Sequence, residues 1–218
     1  MNGRSDLIVT TSPTQKDSAI VHATHTLKPV ELWLVRHGET EWSLSGQHTG
    51  RTDLPLTAMG ERQAREIGKF LNGRRFGIVL TSPLLRARET CRLAGYGKNA
   101  LVDVNLQEWD YGDYEGKTTA EIQEQCPSWS LWRDGVLRGE NIEQVATRAQ
   151  AVIDRVLAGS GDALLFAHGH ILRILSCCWL GLPPQDGRLF SLGTASLTTL
   201  GHEHETRVIT RLNAGPIR

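Results

Sequence analysis

The chain has 218 residues, enough for one well-cored domain and cramped for two, and its 24 Lys+Arg are balanced by 24 Asp+Glu. A zero net charge gives no reason to expect nucleic acid or an anionic membrane as partner, so any attraction for anions has to be local. No apolar run approaches the ~18 residues of a membrane-spanning helix. The four cysteines, Cys91, Cys126, Cys177 and Cys178, lack C-x-x-C spacing, as expected of buried free thiols in a reducing compartment, the cytoplasm.

Residues 1–29 are rich in Ser and Thr, carry Arg4, Asp6, Lys16 and Asp17, and lack the apolar core of a secretory signal. They are expected to form a poorly ordered or loosely docked arm ahead of a domain spanning 30–218. The first strand, Glu31 to Val35, stops abruptly at Arg36-His37-Gly38, placing a cation and an imidazole where the backbone must turn. Ser43 to Pro55 is polar, holds two glycines and a proline, and reads as a loop over the pocket. Thr57 then caps a helix with the stripe Ala64, Ile67, Gly68 and Leu71 and a stop at Gly73. Ile78 to Leu80 is a short buried strand, and Ser82-Pro83 opens a helix whose apolar face is Leu84, Ala87, Cys91 and Ala94.

Ala100 to Val104 reads as an outer strand leading into a loop dense in carboxylates and aromatics, L-Q-E-W-D-Y-G-D-Y-E-G. Thr118-x-x-Glu121 is a capping box for a short helix, and the Trp-rich S-W-S-L-W-R-D-G suits either a lid wall or packing on the sheet. A longer helix starts near Asn141, with Ile142, Val145, Ala149, Val152 and Val156 on one face and Gly159 as its stop. A strand over Ala163 to Ala167 follows, then a helix from about Ile171 to Leu180. The β-rich runs Thr194 to Leu200 and Arg207 to Leu212, joined by a polar turn holding His202 and His204, close the chain. This alternation implies a three-layer α/β fold, a mostly parallel sheet with helices on both faces and an antiparallel edge. Six tryptophans and an edge strand make a homodimer possible, although tryptophan more often fills a core or a pocket wall.

Three apolar runs end in Arg36-His37, in Arg86 and in His168, at the strand ends where open α/β sheets place their chemistry. Two arginines and two histidines at one place describe a pocket for a phosphoryl group. Guanidinium forks bind its oxygens bidentately, and their charge disfavours the imidazolium form of a histidine, leaving a ring nitrogen able to attack phosphorus. His37 is the expected nucleophile, since a core histidine after a strand explains neither Arg36 nor Gly38. Arg86 and Arg88 lie about 200° apart on a helix, so only one faces the pocket, and Arg86 in the first turn is the better placed. His168, with nearby backbone N–H groups, suits stabilisation of phosphoryl oxygens. A metal site of His37, His168 and His170 is the rival, and the adjacent arginines disfavour it. A carboxylate is needed to protonate the leaving oxygen, and on spacing alone Glu108, Asp110, Asp113 and Glu115 compete equally.

The blocks L-V-R-H-G-E-T-E-W, T-S-P-L-L-R-A-R-E-T, L-Q-E-W-D-Y-G-D-Y-E-G and F-A-H-G-H resemble, in this order, the histidine phosphatase superfamily, the phosphoglycerate-mutase-like branch. The likeness covers about residues 31–200. It implies a phosphohistidine on His37, with Arg36, Arg86 and His168 around the phosphoryl group, Glu108 as proton donor, and neither metal nor cofactor. Matching residue by residue, it also implies Ser43, Thr49, Tyr111 and Arg173 as substrate contacts. Within the branch, S-G-Q-H-T-G-R-T-D-L-P-L-T and E-W-D-Y-G-D-Y-E-G are most similar to sedoheptulose-1,7-bisphosphatases and broad-specificity acid phosphatases. Mutases of the branch usually carry Asn at the place of Ser43, Glu-Arg-His-Tyr at that of Glu108 to Tyr111, and a longer basic insertion before the last catalytic histidine. The resemblance therefore implies a phosphatase acting on a small phosphorylated metabolite, a sugar phosphate or bisphosphate, with a cofactor-dependent phosphoglycerate mutase as the alternative.

Overall fold

A computed structural model describes Met1 and residues 29–215. Apart from Met1 and Pro29, the expected N-terminal arm lies outside the described residues. Six strands, β1 (Leu32–Arg36), β2 (Ile78–Thr81), β3 (Leu101–Val102), β4 (Ala163–Ala167), β5 (Leu197–Glu203) and β6 (Thr206–Ala214), form one sheet in the order β3-β2-β4-β1-β5-β6. The pairs β3-β2, β2-β4 and β4-β1 are parallel, and β5 runs antiparallel to β1 and to β6. The mostly parallel sheet with an antiparallel edge is the architecture expected from the alternation of elements.

Side-chain alternation along the central strands divides the interior into two layers. Leu32 and Leu34 of β1, with Ala163, Leu165 and Ala167 of β4, pack with α6 (Ile142–Leu157) and α7 (Gly169–Leu180). Trp33 and Val35, with Leu164 and Phe166, face α2 (Ala58–Leu71) and α3 (Leu85–Leu93) on the opposite side. Buried on both faces, β1 and β4 read as continuous apolar runs, which is why their ends were legible.

The helix starts follow from side-chain caps. Thr57 Oγ1 accepts from Gly60 N at the head of α2, and Asn141 and Gln144 form a capping box on α6. The stops differ: α2 ends on Asn72 in the left-handed region and α6 on Ala158, each one residue before the expected glycine. Thr40 and Ser43 form a further capping box that opens a one-turn helix, α1 (Glu41–Ser45), inside what reads as loop from Ser43 onward. The outer strand β3 is only two residues long, and its continuation turns into a 3₁₀ segment at Val104–Leu106. The capping box at Thr118 and Glu121 starts α4 (Thr119–Gln125), and the Trp-rich stretch contains α5 (Leu131–Asp134).

Two features of the termini and thiols depart from expectation. His202 belongs to β5 rather than to the turn, with its ring 5.1 Å from that of Trp179, because the strand runs on to Glu203 before the chain reverses. Cys91 and Cys177 are buried and Cys178 half-buried, all as free thiols, but Cys126 at the end of α4 is exposed. Burial pushes the thiols of Cys91 and Cys177 up to about 12, so neither is a ready nucleophile.

The strand end bearing His37 is seated by backbone contact. A Cβ on Gly38 would lie 2.4 Å from the carbonyl oxygen of Gly60, and one on Gly60 would lie 2.1 Å from that of Glu39. Gly60→Ala is therefore expected to destabilise the protein by about 1–3 kcal/mol through overpacking, read as a lower urea midpoint. An unchanged midpoint would show that this approach is not tight.

Candidate active site

The adjacent strands β2, β4 and β1 present their carboxyl ends side by side, and the ladder runs on past them. His37 N donates to Ala167 O at 2.9 Å, and Ser82 N to Phe166 O at 2.9 Å. His37 and His168 thereby meet with ring centroids 5.2 Å apart, and Ser82 Oγ lies 2.7 Å from Nε2 of His168. Nδ1 of His37 lies 2.7 Å from the carbonyl oxygen of Gly38. A carbonyl only accepts, so Nδ1 carries the proton and Nε2 the lone pair. Burial, and then the charges of Arg86 and Arg36, hold the His37 imidazole well below its ordinary range, so it is neutral near pH 7.

Arg86 is fully buried, in the first turn of α3, while Arg88 is exposed. Its Nε donates to His168 Nδ1 at 3.0 Å, and its terminal nitrogens donate to the carbonyls of Thr52, Thr49 and Gly50 at 2.9, 3.0 and 3.0 Å. Both ring nitrogens of His168 are thus engaged within the protein, and burial followed by Arg86 depresses its basicity as well. Arg36 is different. Its Nη1 donates to Leu192 O at 2.6 Å, but its buried Nε has no partner.

The carboxylates of the 107–116 loop separate by what they pair with. Asp110 is paired with Arg51, Asp113 with Arg138, and Glu115 accepts from Gly50 N and Thr52 N. Glu108 faces the cavity. Its Oε1 accepts from Trp109 N and Ile171 N, its Oε2 from His170 N, all at 2.9–3.0 Å. The amides of His170 and Ile171 open α7, where the helix dipole favours a negative charge. The N–H groups of His170 and Ile171 after His168 are therefore occupied by Glu108 rather than presented to a ligand. Arg148 of α6 holds this loop in place: it pairs bidentately with Glu140 at 2.8 Å and donates to the carbonyls of Asn105 and Gln107. Glu140 in turn accepts from Trp109 Nε1 and Asp110 N.

A cavity of about 480 Å³ opens over this cluster. Arg36, His37 and Glu108 line its floor, whereas Arg86 and His168 sit behind it. The four substrate-contact candidates, Ser43, Thr49, Tyr111 and Arg173, all line it. The Ser43 hydroxyl, however, is engaged with Thr40 in the α1 cap, Thr49 Oγ1 donates to Gln47 O, and the Tyr111 hydroxyl lies against His170. Arg173 stacks its guanidinium 4.4 Å from the Trp132 ring centroid and donates Nε–H to Gly187 O. The wall also includes Trp42, Gln47, His48, Gln123, Trp129 and His170. Apart from His170, weighed only as a metal ligand, the sequence does not single these out as site residues; the placement of the 43–55 loop over the pocket points toward Gln47 and His48, and the lid-wall reading of the Trp-rich stretch toward Trp129. Among the described residues no group of three or more His, Cys, Asp or Glu is placed to hold a metal ion, and no helix is long and apolar enough to cross a membrane.

Residues 32–215 match the family model described as histidine phosphatase superfamily (branch 1). An acid phosphatase of Mycobacterium tuberculosis is 41% identical over 180 residues, covering 81% of this chain and 88% of the relative. Sedoheptulose 1,7-bisphosphatase of Saccharomyces cerevisiae is 40% identical over 184 residues, 70% of this chain and 68% of the relative. A solved open-reading-frame product of Mycobacterium tuberculosis superposes with a TM-score of 0.82 at 40% identity, over 85% of this chain and 98% of the other. With the match running from β1 through β6 and the buried His, Arg and Glu cluster at its centre, the chain belongs to the histidine phosphatase superfamily and is a hydrolase of that type.

Proposed function

We propose that the protein is a metal-independent phosphatase of small phosphorylated metabolites, sugar phosphates or bisphosphates, acting through a phosphohistidine on His37. The observation that carries this reading is the pairing of two unsatisfied groups on the cavity floor. Nε2 of His37 bears a lone pair in a neutral ring, and Nε–H of Arg36 is a buried donor without an acceptor. A phosphoryl oxygen supplies that acceptor, and phosphorus then lies within reach of the lone pair.

In the first step the N–P bond forms as the bond to the ester oxygen breaks, and the leaving oxygen takes a proton from Glu108. In the second, water loses a proton to Glu108 and displaces phosphate from His37, restoring the starting state. Oε1 of Glu108 already accepts two amide N–H groups and Oε2 only one, so Oε2 is the oxygen that carries the proton in this scheme. Arg86 acts from behind: its guanidinium, hydrogen-bonded to the neutral His168 ring that it holds in place, lends positive potential to the phosphoryl position. The two relatives named above, a phosphatase and a sugar bisphosphatase, support the substrate class.

Purified protein is expected to release phosphate from a panel of sugar mono- and bisphosphates in the presence of a chelator, with His37→Ala lowering the rate by about 10³-fold or more. Phosphoglycerate interconversion only after priming by 2,3-bisphosphoglycerate, with no phosphate release, would instead make the protein a mutase.

Because the His37 imidazole is held below its ordinary range, its lone pair persists to lower pH than that of an exposed histidine. Phosphoenzyme formation, corrected for the second ionisation of the substrate near pH 6, should stay level through about pH 6.5 and decline only below it. An acid limb centred at or above that value would contradict the buried neutral nucleophile.

A further inference from the structure

His170 lies in the first turn of α7, and the phosphoryl transfer proposed above does not use its ring. Its side chain is 20% exposed and lines the cavity. The Tyr111 hydroxyl lies 2.6 Å from its Nδ1. Tyr111 is itself 1% exposed, and burial, then Glu108, pushes its phenol well above the ordinary value, so the phenol stays protonated. No other partner of that hydroxyl exists among the described residues. Turning its hydrogen away from Nδ1 would leave a buried donor unsatisfied, which is unfavourable. The Tyr111 hydroxyl therefore donates to Nδ1 of His170, and burial, then Arg173, keeps the ring from taking a second proton. A neutral imidazole that accepts at Nδ1 carries its hydrogen on Nε2, and Nε2 makes no hydrogen bond with any described residue.

The surroundings of His170 show what this donor faces. Its ring neighbours are His48, Trp109, Tyr111 and Trp132, at centroid distances of 6.2, 6.4, 5.8 and 5.3 Å, whereas His37 and His168 are paired with each other. His170 thus belongs to the wall that surrounds the body of the ester. The lining of that cavity includes the uncharged hydrogen-bonding residues Gln47, Gln123 and Ser130 and the rings of Trp42 and Trp129, together with one cation, the Arg173 guanidinium, which is stacked on Trp132. A neutral N–H donor in such a wall matches a neutral oxygen acceptor and gives little to a purely hydrocarbon body.

We infer that His170, its tautomer set by Tyr111, is a specificity-determining residue that donates Nε2–H to a hydroxyl oxygen on the carbon skeleton of the substrate. The enzyme therefore discriminates between a polyhydroxylated phosphate ester and its deoxy or aryl counterparts. The inference rests on the phosphatase reading and adds to it the group that reads the alcohol portion.

The test compares wild type, His170→Leu and Tyr111→Phe on a hexose phosphate, its single-deoxy analogues and phenyl phosphate. For His170→Leu, the loss in kcat/KM on the hexose phosphate should exceed the loss on phenyl phosphate by at least about 10-fold. In wild type, one deoxy analogue should show the same deficit, and His170→Leu should add little to it. Tyr111→Phe should produce a smaller loss of the same sign. Its ¹⁵N spectrum should show the His170 ring passing from the Nε2–H tautomer to a mixture, a signature that a merely structural tyrosine would not move. Equal losses on all substrates, or a wild-type ring protonated at Nδ1, would overturn the inference while leaving the phosphatase reading intact. Absence of phosphate release from every substrate by wild type would overturn both, even with the tautomer as stated.

Discussion

The arrangement depends on one buried cation. Removing the Arg86 guanidinium from water carries a penalty of several kcal/mol, and it is offset by four hydrogen bonds, three of them to carbonyls, with charged-group bonds contributing about 1.5–3 kcal/mol each. The carbonyls belong to Thr49, Gly50 and Thr52, so the same bonds shape the loop that forms one wall of the cavity. Glu115 holds that loop from the other side through the amides of Gly50 and Thr52. The charge that organises the loop also acts on the two imidazoles. It opposes protonation of His37 and His168, and it fixes the ring of His168 through Nδ1.

A second constraint mirrors the first with the opposite sign. Glu108 occupies the amide end of α7, where two N–H groups and the helix dipole suit a carboxylate, and Trp109 N of its own loop donates a third bond. Its approach is set from outside by Arg148 and Glu140, which tie the 105–110 segment to α6 by hydrogen bonds to its backbone. The cation at the head of α3 and the carboxylate at the head of α7 are each held chiefly by main-chain groups. Main-chain partners do not change rotamer, so the two charges keep their positions with little reorganisation.

The cap is built from aromatic packing rather than charge. Trp132 packs against the Arg173 guanidinium and against Gly187, where a Cβ would come within 2.6 Å of the indole. Trp109 stacks near Tyr111, and Tyr111 bonds His170. These contacts join the loop at 107–116, α5 and α7 into one wall.

The order of strands and helices, the two-sided burial of β1 and β4, the caps at Thr57, Thr118 and Asn141, and the arrival of Arg36, His37, Arg86 and His168 at strand or helix ends were all present in the sequence. Each depends on periodicity or on residues a few positions apart, where the signal is local. The partner of each polar group was not. Asp110, Asp113 and Glu115 have the same chemistry as Glu108 and stand within eight residues of it, and only the tertiary structure turns three of them to Arg51, Arg138 and the 50–52 amides. The Tyr111 hydroxyl likewise meets an imidazole 59 residues away. His202 sits on a strand because that strand outlasts its apolar run. A residue type states which bonds a side chain can make, while the choice among them is decided by long-range packing, through the energetic penalty on any buried polar group left without a partner.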